Sequence, residues 1–457
     1  MPELGSNGSS DLYPGGATGR YLVLFEEGAG KAGVKALGEA TGISVATVGK
    51  EGKEIEEDGA FFEHLGVAVV NAPPDQIQEA GIAAQGAGIL AIEPERIVHA
   101  LDVVAPPAAT LPGLGNGGPP AMPAPPLPSS STPPASRSAD YLLGYRDAVL
   151  HLTSPSTAAL EAGVAEVAPA AVSEAQATWG LQRVRAVNSC RSGRGIRVAV
   201  LDTGFDSNHP DFAGRNIQGQ SFIPGQAVQD GHGHGTHCIG TATGPKCVRK
   251  QPRYGIAYEA RIFAGKVLSN QGSGTDSQIL AGINWAVANK CAVISMSLGA
   301  AVQPGQTFSS VFEAVAQRAS NAGSLIVAAA GNDSGRPGTI RPVSHPANCP
   351  SVMAVAAIDV NDAIASFSNR GINPNGGQID VAGPGVDVFS SWPMPTRYRR
   401  LNGTSMATPH AAGVAALLAE AHPHARGAAL GRLLTSTAQR LANLPSADVG
   451  AGVVQAP

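Results

Sequence analysis

The sequence predicts an α/β protein: a doubly wound, mostly parallel sheet preceded by a small α+β unit of the ferredoxin-like type. Three observations carry this. Segments 196–201, 292–296, 325–330 and 352–358 are nearly all apolar rather than alternating, as strands buried on both faces are. Stretches with helical spacing, 277–289 and 309–321, lie between them, so strands and helices alternate. In the first hundred residues the order is strand, helix, strand, strand, helix, strand, the pattern of a split βαβ sandwich.

Taken from the start, residues 1–19 are Gly/Ser-rich and cannot bury a core, so they read as a disordered N-terminus. They show neither a basic start nor an apolar stretch, so no signal peptide is visible. Residues 20–103 form the first unit. Segment 21–25 alternates like a strand, 31–40 has helical spacing, and 43–48 and 65–70 are further strands. Segment 74–80 is a helix with proline in its first turn, and 88–92 is the last strand. Residues 104–138 contain 11 prolines among Gly and Ser, a composition that favours extended chain over a packed core, and read as a linker. Residues 139–177 are an extension of unassigned role, and 178–457 hold the doubly wound unit.

Composition narrows the function classes. The 457 residues are 43% apolar and 14% charged, with a net charge of -4. No unbroken apolar run approaches the roughly 18 residues a bilayer requires, so a membrane partner is not expected. No Lys/Arg block or aromatic-basic interleaving points to nucleic acid. The five cysteines show no C-x-x-C spacing, and their odd number leaves at least one thiol unpaired. Cys291 and Cys349 adjoin apolar runs and read as buried, whereas Cys190 and Cys247 lie in polar segments and could bridge in an oxidising compartment.

Three segments carry the chemistry. The apolar strand IRVAV runs into LDTG and places Asp202 at a strand's carboxyl edge, where active groups of such sheets collect. Alone it could be a turn or capping aspartate. The segment GHGHGTHCIG sets His232, His234 and His237 in a glycine-rich turn before an apolar helix, without the i, i+4 spacing and neighbouring acid of a zinc helix. The third, LNGTSMATPHAAGVAALLAEA, opens a long apolar helix at a Gly-Thr-Ser turn, with Pro409 expected in its first turn. Ser405 at that helix tip could be an ordinary N-cap, yet the free N–H groups there also favour developing negative charge. An acid, a histidine and a serine in this chain order supply an orienting carboxylate, a general base and a nucleophile.

By these motifs the chain resembles the subtilisin family of serine endopeptidases, in particular its proteinase-K-like branch, over about residues 175 to 445. The resemblance implies that Asp202, His234 and Ser405 form the charge-relay triad, with His237 a structural neighbour. It assigns Asn332, in LIVAAAGNDSG, as the side-chain donor of the oxyanion hole, a group whose loss costs roughly 3 to 4 kcal/mol of transition-state stabilisation. Gly272, Ser273 and Gly274, with Ser297, Leu298 and Gly299, resemble two edges that hold an extended peptide as an added strand. Ala329, Ala330 and Gly331 would line the primary specificity pocket. Ser344, where many relatives have glycine, would make its floor shallower and favour Leu or Ala before the cut bond.

The first unit resembles the family's inhibitory prosegments, which implies a precursor that docks its own tail, IEPERIVHALD, in the active-site groove and cuts itself near Leu101 or in the linker. Residues 20–102 carry 14 acidic and 6 basic side chains, opposite in sign to the remainder of the precursor. Where relatives carry a calcium loop this chain has the basic stretch GPKCVRKQPRYG, so no cofactor is expected, calcium remains possible, and Asp211 is a weak ligand candidate serving its turn. Polypeptides are the expected substrates, and a monomer the expected state. Family habit favours secretion, against the missing signal. Two other readings are a peptide-bond transferase or cyclase using the same acyl-enzyme, and an inert peptide-binding relative.

Overall fold

The computed structural model describes residues 17–48, 59–77, 88–101 and 173–457. The Pro-rich linker, most of the 139–177 extension and the end of the helix expected over 74–80 lie outside them; that helix is described through its first turn, residues 74–77.

The first unit comprises β1 (Ala17–Phe25), α1 (Gly30–Thr41), β2 (Ala46–Val48), β3 (Gly59–Phe62), β4 (Val67–Asn71) and β5 (Ile89–Ala100). The strands run in the order β5-β1-β4-β3-β2, with β1 antiparallel to both neighbours and β3 antiparallel to β4. With β3 in second place this is the ferredoxin-like order, and β2 is an extra edge strand, parallel to β3. Strand β3 escaped the sequence reading because Gly-Ala-Phe-Phe shows no alternation, and all four residues are buried. One face of the sheet packs Val23, Phe25, Phe61, Ala68 and Val70 on Leu37 of α1. The other sets Leu22, Leu24, Phe62, Leu65, Val67 and Val69 into the core shared with the second unit. Both faces are therefore apolar, and each large side chain fully buried contributes about 1.5 to 3 kcal/mol.

The second unit follows as α2 (Trp179–Arg183), β6 (Arg197–Asp202), β7 (Ile217–Ser221), α3 (His234–Thr243), β8 (Arg261–Lys266), β9 (Ser273–Thr275), α4 (Asp276–Ala288), β10 (Val293–Met296), β11 (Leu298–Gly299), α5 (Ser310–Asn321), β12 (Leu325–Ala329), β13 (Met353–Ile358), β14 (Val381–Pro384), β15 (Val388–Ser391), β16 (Tyr398–Leu401), α6 (Thr404–Ala421), α7 (Ala428–Ser436) and α8 (Ser446–Val449). Seven strands form a sheet in the order β14-β13-β12-β10-β6-β8-β7, every neighbouring pair parallel. The chain leaves β6 toward β8 and β7, then returns to the far side of β6 to form β10. The order reverses between β6 and β10, and the crevice beyond their carboxyl ends is where such sheets bind ligands. Helix α6 is apolar all round and buried along nearly its whole length, a core helix. Pro409 lies inside it, in the second turn rather than the first.

Strand β5 does not stop near residue 92. It runs past β1 and continues to Ala100 between β9 and β11, antiparallel to both. Two carboxylates on it cap helices of the second unit. Glu93 accepts from Ser309 Oγ (2.5 Å) and the Ser310 N–H (2.7 Å) at the start of α5, and Glu95 from the Ser277 N–H (2.9 Å) at the start of α4. Helix N-termini favour such acceptors through their free N–H groups and dipole. On α5, the Arg318 guanidinium donates to the carbonyls of Leu65, Gly66 (3.2 Å) and Phe25 (2.5 Å).

Candidate active site

Asp202 ends β6 and is buried. Its Oδ1 accepts from His234 Nδ1 (2.7 Å) and from the Thr203 N–H (2.7 Å). His234 opens α3 after Gly233, which adopts φ 110; a Cβ there would run into the Trp392 ring. Asp230, which the sequence reading passed over, organises this corner. Its Oδ1 accepts from the N–H groups of His232 (3.0 Å) and Gly233 (2.8 Å) and from Thr203 Oγ1 (2.9 Å), and its Oδ2 from the Thr236 N–H (2.9 Å) and Oγ1 (2.7 Å). Lys266, at the end of β8 and fully buried, donates to the Thr203 carbonyl (2.5 Å) and Asn270 Oδ1 (2.9 Å). Burial lowers its pKa, opposed by the nearby Asp230 and Asp202. A lysine in an apolar strand carries no periodic signal that marks it as part of a site.

Burial works against a charged His234, but the adjoining Asp202 carboxylate is the main influence that outweighs it, and the imidazole is held well above its ordinary pKa. His237 differs. Burial first, and then the charge of His234, push it down to about 3, and its Nε2 donates to the carbonyls of Val388 (3.0 Å) and Arg399 (3.2 Å). It is a neutral structural histidine, as the resemblance implied. Among the described residues one cluster offers metal-donor atoms, Asp202, His234 and Cys238, and the hydrogen bond between the first two already occupies their facing atoms.

Ser405 is the second residue of α6. Its hydroxyl donates to the Ser297 carbonyl (3.1 Å), and His234 Nε2 is buried without a hydrogen-bond partner. The direct serine–histidine hydrogen bond expected of a triad is thus not made in this state, in which the cleft holds the end of the chain's own β5. The Leu101 N–H donates to the same Ser297 carbonyl (3.3 Å). Pro409, four residues after Ser405, has no N–H to give the Ser405 carbonyl. Ser297 Oγ (2.8 Å) and the Cys238 thiol (3.6 Å) donate to that oxygen instead.

Asn332 follows β12, and its Nδ2 donates to the carbonyl of Leu101 (2.7 Å). Its Oδ1 accepts from the N–H (2.9 Å) and hydroxyl (2.8 Å) of Thr404, which fixes the amide with its donor turned toward Ser405's side of the cleft. Thr404 was not singled out in the sequence; its position directly before the serine is the one signal that could have found it.

The two expected substrate edges flank the tail. Ile97, Val98 and His99 pair with Thr275, Gly274 and Ser273, the Ala100 N–H donates to Gly272 O (2.9 Å), and Ala100 and His99 pair with Leu298 and Gly299. A Cβ on Gly299 would lie 2.7 Å from the His345 carbonyl oxygen and 3.1 Å from Leu101 Cδ1, so glycine is needed against the backbone and also leaves room for Leu101. Ala329, Ala330 and Gly331 are buried and lead into Asn332. Gly331 has φ 109, and a Cβ there would collide with Ser344 and Asn369, which puts Ser344 against this wall. Ser344 Oγ donates to Asp333 Oδ2 (3.2 Å) and accepts from Asn369 Nδ2 (3.2 Å).

Asp211 does more than serve a turn. Its carboxylate accepts the hydroxyls of Tyr254 (2.6 Å) and Tyr398 (3.1 Å). Burial, with Asp211 next, pushes Tyr398 up to about 12, so both phenols stay donors at neutral pH. All five cysteines are unpaired, with Cys238, Cys291 and Cys349 buried and Cys190 and Cys247 exposed. No described helix is long and apolar enough to cross a membrane.

Comparison with known proteins adds to this geometry. The model of the subtilase family matches residues 193–452. The chain is 42% identical over 254 residues to Subtilisin E of Bacillus subtilis (strain 168), a match that covers 55% of this chain and 62% of that protein. It is 41% identical over 252 residues to a subtilisin of Bacillus pumilus, covering 86% of it, and 41% identical over 283 residues to Subtilisin Savinase of Lederbergia lenta, covering 96%.

Proposed function

Because the chain belongs to the subtilase family, we propose that it is a serine endopeptidase acting through an acyl-enzyme on Ser405, made as a precursor inhibited by its own first unit. The observation that carries this reading is the placement of Leu101: its carbonyl oxygen sits on the Asn332 amide while residues 97–100 lie as an antiparallel strand between both cleft edges.

In this reading the Ser405 hydroxyl turns from the Ser297 carbonyl to His234, whose free Nε2 takes its proton as Oγ attacks the substrate carbonyl. Asp202 holds the Nδ1–H and stabilises the imidazolium. The oxyanion receives hydrogen bonds from Asn332 Nδ2 and the Ser405 N–H, donors fixed before the charge develops. The imidazolium then protonates the leaving amine, and a water, deprotonated by His234, attacks the acyl-enzyme and releases the acid and free Ser405. Polypeptides are the substrates, held by backbone hydrogen bonds at residues 272–274 and 297–299. No cation is required at Asp211, whose oxygens two tyrosines engage.

Residues 20–101 act as the inhibitor, and cleavage after Leu101 or within the linker is the first turnover. Mass spectrometry of the purified wild type beside Ser405→Ala tests this: the wild type splits near Leu101 or in the linker and the variant stays whole. Equal processing of both removes autocatalysis, and failure of a fluorophosphonate to label Ser405 removes the enzyme altogether.

A further inference from the structure

The hydrogen bonds that hold the tail extend beyond the residues nearest the cleft. Leu101 occupies the position before the cut bond, so Arg96 is the sixth residue upstream of it, and the antiparallel register that pairs Ile97 with Thr275 brings Arg96 opposite Asp276. Asp276 is fully buried at the first position of α4. Its Oδ2 accepts both the Arg96 backbone N–H (3.0 Å) and the Arg96 guanidinium through Nη1 (3.3 Å), and its Oδ1 accepts from His345 Nε2 (3.1 Å). The imidazole of His345 packs edge-on against Phe312, with ring centres 4.5 Å apart.

Resting on the peptidase reading above, we infer that Asp276 forms a subsite for a basic side chain six residues upstream of the cleaved bond. An acid is rarely buried without a partner, because removing its charge from water is costly. Here the helix start favours the anion from one side and His345 donates from another. With the tail in place, burial lowers the pKa of His345 against the opposing pull of Asp276, so the imidazole does not cancel the charge of the Asp276 carboxylate. The Arg96 guanidinium neutralises that charge in the precursor. Glu93, which also accepts from the guanidinium (3.3 Å to Nη2), belongs to the tail itself and departs with it. A substrate lying along the same edge therefore meets the Asp276 carboxylate at this position. The backbone hydrogen bond to Oδ2 holds any residue, whereas the guanidinium bond selects Arg or Lys.

The test uses the processed wild-type enzyme and three internally quenched peptides carrying the tail sequence up to Leu101. One keeps arginine at the sixth position, one has citrulline there, and one begins at the fifth. Citrulline retains the shape and three of the five N–H donors but not the charge. The wild type should cleave the arginine peptide with kcat/KM roughly tenfold above the citrulline peptide, the range of a partly buried charge-assisted hydrogen bond. In Asp276→Asn the two should be cut alike, and the wild type should cut the shortened peptide no faster than the citrulline peptide. Equal cleavage of the arginine and citrulline peptides by the wild type overturns the subsite and leaves the peptidase standing, and this comparison needs no folded variant. No cleavage of any peptide overturns the peptidase and the subsite together.

Discussion

The carbonyl oxygen of Leu101 and the side-chain amide of Asn332 are joined by a 2.7 Å hydrogen bond across 231 residues of chain. The amide cannot turn end for end without breaking two bonds from Thr404 to its Oδ1. A donor held in place before charge develops contributes to the rate without further reorganisation.

Asn332→Ala should therefore lower kcat by about 100- to 1,000-fold with KM little changed, a range taken from the corresponding donor of a subtilisin rather than from these distances. Thr404→Val keeps the backbone bond and loses the hydroxyl, so a smaller fall, of order tenfold, is expected. Steady-state kinetics on one chromogenic peptide checks both. A rise in KM at constant kcat would assign Asn332 to ground-state binding instead.

The acid limb of kcat should lie above the ordinary histidine range, since Asp202 holds the His234 imidazolium well above its usual pKa. The base form is the deprotonated one, so activity is lost as pH falls through that raised value. Asp202→Asn removes the carboxylate that sustains the shift; the limb should move to lower pH and the plateau fall by about 10,000-fold. A pH–rate profile of the two proteins reads the direction, and an unmoved limb counts against His234 as the titrating base.

Ser344 lies against Gly331 beside the space that Leu101 enters. Ser344→Gly should deepen this pocket and raise the preference for Phe over Leu before the cut bond by roughly tenfold, the scale on which one small group discriminates in an apolar pocket. A peptide-library profile of both proteins decides it. A wild-type profile dominated by Phe and Tyr would remove Ser344 as the floor.

Arg318 anchors the first unit away from the cleft, donating to three of its carbonyls, and its pKa is lowered by burial. Arg318→Ala should leave peptide hydrolysis by the mature enzyme unchanged while freshly processed material shows roughly tenfold higher residual activity, because the cleaved unit is released faster. Comparison of activity before and after removal of the cleaved unit measures this.

Much of the second unit was legible because strands buried on both faces write unbroken apolar runs, and β6, β10, β12 and β13 begin within a residue of the expected positions. Asp202, His234, Asn332 and Ser405 were legible because their types and surrounding glycines are constrained together. Asp230, Lys266 and Thr404 were not, since a capping acid, a buried lysine and a threonine beside a serine each have commonplace alternatives, and only folding shows that they share Thr203 or Asn332. Strand β5 was read as ending at residue 92 because Pro94 and three charged residues interrupt its apolar pattern. Those charges face helix starts and Asp276 rather than water, so they do not end the strand.

Pro409 gives α6 an unusual opening. With no N–H offered from one turn ahead, the backbone at Ser405 is fastened sideways, to a hydroxyl at the end of β10, instead of lengthwise to its own spiral. The Ser405 backbone is thus tied to the central sheet as well as to its helix, so loosening of the first coil on warming should leave it held at the Ser297 hydroxyl.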